Sequence, residues 1–195
     1  MVMGKIERQY RRLNHESIQH YIKVAEISLD TKVKGVQCYG MPALVLLLCS
    51  VDAIGSYYGS KNGKAVLKKD IDKVMSSPGA SKDHFSSFFK IEEVVCVVGS
   101  LSDGDISVLY EQYRCKAAHN ASLGKNTFIG IYGNSTLIST VGPQTKIDLQ
   151  VLLQAVKEGF DRLCRDVNPK HGKEMEHPAG VPETGLTETV VTVIV

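Results

Sequence analysis

The chain has 195 residues, of which 43% are hydrophobic and 23% are charged. This composition is typical of one ordinary globular domain and excludes a disordered chain or a collagen-like repeat. The 23 basic and 21 acidic side chains give a net charge of only +2, which argues against the strong positive field of a dedicated duplex-DNA-binding protein.

The N-terminal half is predicted to be mainly helical, because apolar residues recur there at three- and four-residue steps. Asn14 is a candidate N-cap for the first helix, and Pro42 is suited to the first turn of the second helix, which is apolar nearly all round. Residues 31–40 are expected to form a loop or a short helical extension, and residues 59–63 a loop. The expected helices cover residues 15–30, 42–58, 64–76 and 81–90.

The C-terminal half is expected to mix helix and strand. The run 94–98 is short and β-branched, so its periodicity leaves strand and buried helix equally open. Ser102 or Asp103 is a candidate cap for the next helix, which should end between residues 119 and 123, with Gly124 as the stop. The remaining expected elements are strands over 127–132 and 136–141, a hairpin turn at Gly133-Asn134-Ser135, and a last helix over 147–165.

These elements predict an all-α fold in one domain over residues 1–165. It would be a bundle of five or six helices with a small β-hairpin before the last helix. Residues 166–195 are rich in Pro and Gly, and we expect an extended or disordered tail. Its final segment, Thr189–Val195, is β-prone, so addition to a sheet edge and a disordered terminus both stay open.

One segment near the end of the fifth expected helix carries residues suited to chemistry. It runs Leu109-Tyr110-Glu111-Gln112-Tyr113-Arg114 and continues through Cys115 to His119 and Asn120. Two other Arg–His pairs have similar spacing, Arg8 with His15 and Arg165 with His171. Only Arg114 and His119 lie in a helix that has a buried face.

This segment resembles the HEPN superfamily of all-α, RNA-associated domains, which carry an Arg-x(4–6)-His motif. It is similar to a Leu-Tyr-x-x-Tyr-Arg-x-x-x-x-His segment of uncharacterised bacterial proteins, although Cys115 stands where the family often has Asn or Asp. The resemblance covers roughly residues 10–165 in element order and is specific around residues 109–120. It implies a metal-independent endoribonuclease of the defence or toxin type that acts as a homodimer on RNA, opposed by a cognate antitoxin.

The residues themselves fit such chemistry. An arginine offers a permanently charged fork for phosphate oxygens, and an imidazole exchanges protons near neutral pH. Arg114 is therefore the candidate phosphate-binding cation and His119 the candidate acid or base. Tyr113 and Asn120 are candidate sources of further hydrogen bonds. Asp52 lies within the apolar second helix, so we expect it to pair with Arg114 or with a tyrosine hydroxyl, or to have a catalytic role.

A structural interpretation of the same residues stands beside the catalytic one. Arg114 would pair with an acidic side chain such as Glu111 or Asp52, and His119 would cap a helix C-terminus. The protein would then be a non-catalytic helical interaction or dimerisation protein.

The rest of the sequence bears on compartment and cofactors. The five cysteines are widely spaced, with no Cys-x-x-Cys pair, and the N-terminal segment is basic and polar. This pattern predicts reduced thiols in a cytoplasmic protein without an export signal or a membrane partner. Cys115 and His119 lack a second ligand pair, so neither a metal nor a cofactor is expected.

Overall fold

The fold was analysed in a computed structural model, which describes residues 3–33, 36–37, 40–68, 81–120, 122–131 and 136–167. Most of these residues are helical, as predicted, but a three-stranded sheet precedes the last helix, so the fold is not purely all-α. The elements in chain order are α1 (Met3–Asp30), β1 (Lys32–Val33), β2 (Val36–Gln37), α2 (Gly40–Ser56), β3 (Tyr58–Lys61), β4 (Lys64–Leu67), α3 (Ser81–Phe88), α4 (Glu92–Val98), α5 (Asp103–Val108), a π-helix (Leu109–Cys115), α6 (Lys116–Asn120), β5 (Thr127–Gly130), β6 (Ile138–Val141), β7 (Gln144–Asp148) and α7 (Leu149–Val167).

Helix α1 is longer than predicted, because it begins at Met3 and continues through Asn14, the expected N-cap. Its buried stripe has the predicted spacing: Ile18, Ile22, Ala25 and Leu29 all face the core. The segment after it, expected to be a loop or helical extension, contains the short antiparallel pair β1–β2.

Helix α2 is the centre of the bundle and packs against α1, α3 and α7. This position agrees with its nearly all-apolar sequence, because a helix with neighbours on several sides loses little by carrying apolar residues all round. Its buried residues are Ala43, Leu44, Leu47, Leu48, Ser50, Val51, Ile54 and Gly55.

The predictions of a loop over 59–63 and a helix over 64–76 are wrong where the structure describes these residues. Strands β3 and β4 form an antiparallel hairpin in which Lys61 is opposite Lys64. Asn62 and Gly63 make the turn with φ values of 52° and 75°. Asn-Gly is a strong signal for such a two-residue hairpin turn, and here this local preference overrides the helical spacing of the following apolar residues. Residues 69–80 lie outside the described part.

The middle of the chain agrees better with its sequence. Residues 94–98, which the periodicity left ambiguous, belong to helix α4. Helix α5 begins as predicted, with Ser102 as N-cap. The Ser102 hydroxyl accepts from the Asp105 amide at 3.1 Å, while the Asp105 carboxylate accepts from the Ser102 amide at 3.1 Å. This reciprocal arrangement satisfies two of the N–H groups that a helix start leaves unpaired.

The predicted hairpin between strands over 127–132 and 136–141 is wrong, because β5 and β6 are not neighbours in the three-stranded sheet. Strand β7 lies between its neighbours, parallel to β5 and antiparallel to β6. A hairpin does precede the last helix, but it joins β6 to β7 through Gly142 and Pro143, with Gly142 at φ 58°. Gly-Pro is a turn signal, which the assignment of the turn to Gly133-Asn134-Ser135 overlooked. Those three residues lie outside the described part.

Helix α7 starts two residues later and ends two residues later than predicted. Asp148 is buried, and its Oδ1 accepts hydrogen bonds from the amides of Gln150 and Val151. Asp148 therefore caps the N-terminus of α7. Of the predicted tail, Asp166 and Val167 belong to this helix, and residues 168–195 lie outside the described part. Across the described residues, no helix is both long and apolar enough to cross a membrane.

Candidate functional site

Asp52 brings together side chains from three helical elements. Its Oδ1 lies 3.0 Å from Nδ1 of His84 on α3, and its Oδ2 accepts a hydrogen bond of 3.0 Å from Nη2 of Arg114 on the π-helix. The side chains of His84, Asp52 and Arg114 keep 16%, 18% and 21% of their surface exposed. They are therefore largely withdrawn from water, yet each still reaches solvent. We call Asp52, His84 and Arg114 the Asp52 cluster.

Gly55 sets the position of His84 in this cluster. A Cβ atom at Gly55 would overlap the backbone carbonyl of His84 and lie 3.2 Å from Cβ of Phe88. Only glycine lets α3 approach α2 this closely. Because Gly55 is three residues after Asp52 on α2, the contact lies almost one helical turn from the carboxylate. The backbone of His84 is thus fixed beside Asp52 by helix packing.

The π-helix presents Arg114 to α2. Leu109 and Tyr113 point into the core. The Tyr113 hydroxyl donates to the carbonyl oxygen of Thr145 at 2.8 Å and also lies 3.2 Å from the carbonyl oxygen of Phe128. This contact ties the π-helix to the sheet where β5 and β7 pair. Short π-helical turns are rare and often occur at functional sites.

The ring of Tyr110 holds the guanidinium of Arg114 from one side. Their centres are 5.9 Å apart, within the range of a cation–π contact, and Phe85 of α3 packs against the same ring edge-on at 5.4 Å. Lys82 and Glu111, 3.4 Å apart, form an exposed ion pair between α3 and the π-helix at the rim. Two side-chain contacts therefore help to hold α3 against the π-helix beside the Asp52 cluster.

The guanidinium of Arg114 does not use all of its hydrogen-bond donors within the described residues. One guanidinium nitrogen, Nη2, bonds to Asp52, and Nε is buried without a hydrogen-bond partner among the described residues. An unpaired buried donor costs about 1–3 kcal/mol, so the arrangement is not the most stable one for an arginine. Burial lowers the pKa of the guanidinium, but the negative charge and hydrogen bond of Asp52 outweigh it and raise the pKa overall. Arg114 stays charged.

Cys49 is three residues before Asp52 on α2, and the charges of Arg114 and Asp52 both affect its thiol. Burial raises the pKa of the Cys49 thiol, Arg114 lowers it and Asp52 raises it again, with a net increase. Because the thiolate is the nucleophilic form, Cys49 is an inert neutral thiol at physiological pH.

The structure brings some of the predicted site residues together and separates others. Asp52 and Arg114 pair as expected, whereas Glu111, the other expected partner of Arg114, pairs with Lys82. His119 is exposed near the end of α6, and within the described residues no hydrogen bond or ion pair joins it to Arg114. Tyr113 is buried with its hydroxyl bonded to the sheet, so it serves packing in this conformation. The side chain of Asn120 lies outside the described part.

His84 was not among the site residues predicted from the sequence. The helix that carries it was predicted over 81–90, and its phenylalanines indicated a buried face. Nothing in the sequence separation of 32 residues shows that His84 meets Asp52. Gly55, a glycine inside a helix, was the one available signal, because such a residue often marks a close packing contact.

Comparisons with models of known protein families, with curated proteins and with solved structures find no match for this chain. Its function must therefore be inferred from the geometry of the site and from the resemblance of residues 109–120. In the described part of the chain, no group of three or more His, Cys, Asp or Glu side chains is placed to hold a metal ion.

Proposed function

We propose that this protein is a HEPN-like domain that cuts single-stranded RNA without a metal ion. The proposal depends on one observation, which is the environment of the Arg114 guanidinium. Its guanidinium is held by Asp52 and Tyr110 on a π-helical turn, remains charged and retains unused donors. Nη1 of this arginine makes no hydrogen bond within the described residues and, unlike Nε, is not sealed from solvent, so it is suited to the oxygens of a phosphate, whose charge increases in the transition state.

The proposed reaction uses the 2′-hydroxyl of the RNA as the nucleophile against the adjacent phosphate. Arg114 stabilises the charge on the phosphate oxygens, and His119 transfers a proton. The exposure of His119 supports this role, because an imidazole at the surface is accessible to an RNA strand. The nucleophile comes from the substrate, which agrees with the neutral state of the nearby Cys49 thiol.

A homodimer is part of the proposal. On an ideal helix, residues five apart differ by about 140° in direction, so Arg114 and His119 do not share a face. A site in which His119 of one subunit acts beside Arg114 of the other removes this difficulty. The HEPN resemblance implies the same composite arrangement, together with a cognate antitoxin and a cytoplasmic location.

A second candidate function is a non-catalytic helical interaction or dimerisation protein. The ion pair of Arg114 with Asp52 favours it, because this contact lies within one chain and explains a buried carboxylate without any substrate. In this case His119 is simply a solvated side chain at a helix end.

Cleavage of labelled single-stranded RNA in the presence of EDTA tests the two candidates. We expect the wild type to cut the RNA, and His119→Ala and Arg114→Ala to lose roughly 10²–10⁴-fold in rate, the usual effect of removing a proton-transfer or charge-stabilising group. His20→Ala is the matched control, because His20 is an exposed histidine on α1 whose one hydrogen bond among the described residues is to the backbone of Glu16. Equal cleavage by wild type and His119→Ala, or no cleavage by either, would support the non-catalytic function.

A further inference from the structure

His84 has the geometry of a base whose orientation is fixed. Its Nδ1 lies 3.0 Å from the Asp52 carboxylate, and its backbone is held against Gly55. A carboxylate accepts but does not donate, so in the neutral imidazole Nδ1 carries the proton and Nε2 carries the lone pair. Contacts of this kind select one tautomer and hold the ring in one orientation.

Arg114 shares the same carboxylate, which places a fixed cation beside this imidazole. His84 Nδ1 and Arg114 Nη2 contact different oxygens of Asp52, each at 3.0 Å. Arg114 and His84 are thus separated by a single carboxylate group, so a phosphate bound by Arg114 would bind beside the cluster that contains His84. His119, by contrast, has no such carboxylate partner in the described part of the chain.

Within the described residues, neither Cys49 nor Tyr113 is an activated nucleophile for the pair. Cys49 is held in the neutral thiol form by burial, and the Tyr113 hydroxyl is bonded to the sheet. A base in this position would therefore act on a hydroxyl brought by the substrate or on water. This is the requirement of the reaction proposed above, in which the RNA supplies its own nucleophile.

We propose that His84 is the general base of this site, that Asp52 is its positioning residue, and that His119 is the general acid. The inference rests on the proposed ribonuclease function and assigns a separate residue to each proton transfer. Nε2 of His84 takes the proton of the 2′-hydroxyl, and the 2′-oxygen forms a bond to phosphorus. The bond from phosphorus to the 5′-oxygen breaks, and that oxygen receives a proton from His119. The products are a 2′,3′-cyclic phosphate and a 5′-hydroxyl end, and exchange with water restores both histidines.

The assignment is tested by kinetics with His84→Asn, His84→Ala and His119→Ala, with His20→Ala as control. Asparagine places an amide N–H near the position of His84 Nδ1, so it can keep the hydrogen bond to Asp52 but cannot accept a proton. We expect both His84 variants to lose about 10²–10⁴-fold in kcat with little change in KM. Added imidazole should restore part of the rate of His84→Ala. Thermal melting of each variant checks that it is folded.

A second substrate separates the base from the acid. In RNA with a 5′-sulfur in place of the bridging 5′-oxygen, the leaving thiolate needs no proton, so the general acid becomes dispensable. His119→Ala should then cut nearly as fast as wild type, whereas His84→Asn should stay slow. A His84→Asn variant that recovers on this substrate, or that keeps the wild-type kcat on ordinary RNA, overturns the assignment.

The failure of this inference differs from the failure of the proposed function. If the wild type cuts RNA and His119→Ala does not, while His84→Asn remains active, only the role of His84 is wrong. If the wild type cuts neither substrate, the proposed ribonuclease function is wrong and the role of His84 falls with it.

Discussion

The Asp52 cluster and a C-terminal cluster of Glu93, Arg162, Arg165 and Asp166 both join helices, and they satisfy their polar groups to very different degrees. In the C-terminal cluster, Arg162 donates from Nε to both oxygens of Asp166 at 2.9 Å and from Nη1 to both oxygens of Glu93 at 2.9 and 3.0 Å. Arg165 adds a bond to Glu93, and the Tyr58 hydroxyl donates to Asp166. The Asp52 cluster has one carboxylate, one guanidinium contact and a histidine.

The difference supports a structural role for the C-terminal cluster and agrees with the functional role that we propose for the Asp52 cluster. The C-terminal cluster pairs permanent charges with one another and connects α7 to α4 and β3, which is what a structural contact requires. The Asp52 cluster is more buried, leaves an arginine N–H without a partner among the described residues, and includes a histidine. Unsatisfied buried donors and ionisable side chains occur more often at functional sites than at purely structural ones.

Replacing Asp52 by Ala should have the largest effect on stability. The change leaves the half-buried charge of Arg114 without its partner and removes the acceptor of His84. We expect a loss of about 3 kcal/mol in the free energy of unfolding, at the lower end of the range for breaking a buried ion pair because the cluster is partly exposed. Denaturation with urea measures it, with Asp83→Ala, an exposed carboxylate beside His84, as control. A loss no larger than that of Asp83→Ala would contradict the importance of the pairing.

Replacing Gly55 by Ala should separate α3 from α2. The added methyl group overlaps the His84 carbonyl, so the helices must move apart, at a cost of about 1–3 kcal/mol. The matched control is Gly104→Ala in the first turn of α5, where an added Cβ would meet only the Ser102 hydroxyl, at 3.4 Å. There the higher helix propensity of Ala should leave stability unchanged or raise it by up to about 1 kcal/mol. Equal stability of the two variants would mean that the close contact at Gly55 is dispensable.

Replacing Glu93 by Gln should cost much less, although it removes the negative charge that Arg162 and Arg165 share, because the amide oxygen of glutamine can still accept from both arginines. The side chains of Arg162, Arg165 and Glu93 are between 26% and 48% exposed, and ion pairs at such positions typically contribute less than about 1 kcal/mol. Asp166 still pairs with Arg162 in this variant. The same urea titration compares it with Asp52→Ala. A loss for Glu93→Gln as large as that for Asp52→Ala would break the distinction between the two clusters.

Repeating apolar patterns made most of the helices predictable. The buried faces of α1, α2 and α7 follow from three- and four-residue spacing, because a long helix repeats the signal over several turns. The strands were harder to predict from the sequence. β3 and β4 depend on the dipeptide Asn62-Gly63, and β6 and β7 on Gly142-Pro143, so two residues outweigh the pattern around them. The order β5-β7-β6 is a tertiary property that no local signal encodes.

The site was also predictable only in part, because some of its contacts depend on how distant elements pack together. A carboxylate within an apolar helix requires a partner, and this rule found the pair of Asp52 with Arg114. The rule does not say how many partners there are. His84 joins the cluster through the packing of α3 on α2, and the π-helix that presents Arg114 arises from packing against the sheet and α2, since nothing in residues 109–115 distinguishes it from an α-helix.

His15 extends the comparison to a histidine placed among aromatic rings instead of beside a carboxylate. Its ring centre lies 6.1 Å from that of Tyr57 and 6.0 Å from that of Phe160, and its Nε2 is buried without a hydrogen-bond partner among the described residues. Burial lowers the pKa of His15 below its ordinary value of 6.5. The unfolded chain therefore binds a proton near pH 6.5, whereas the folded protein does so only at lower pH.

The sign of the resulting pH effect follows directly. Well above pH 6.5 the ring is neutral in both states and contributes no pH dependence. As the pH falls below 6.5, the unfolded state binds more protons, so the free energy of unfolding decreases until the pKa of the folded state is reached. His15→Phe keeps an aromatic ring there and cannot titrate. The stability of the wild type relative to His15→Phe should therefore fall between about pH 8 and about pH 5 in urea titrations. A difference that stays constant over this range would show that His15 is protonated as easily in the folded protein as in the unfolded chain, and that burial among aromatic rings does not restrain its charge.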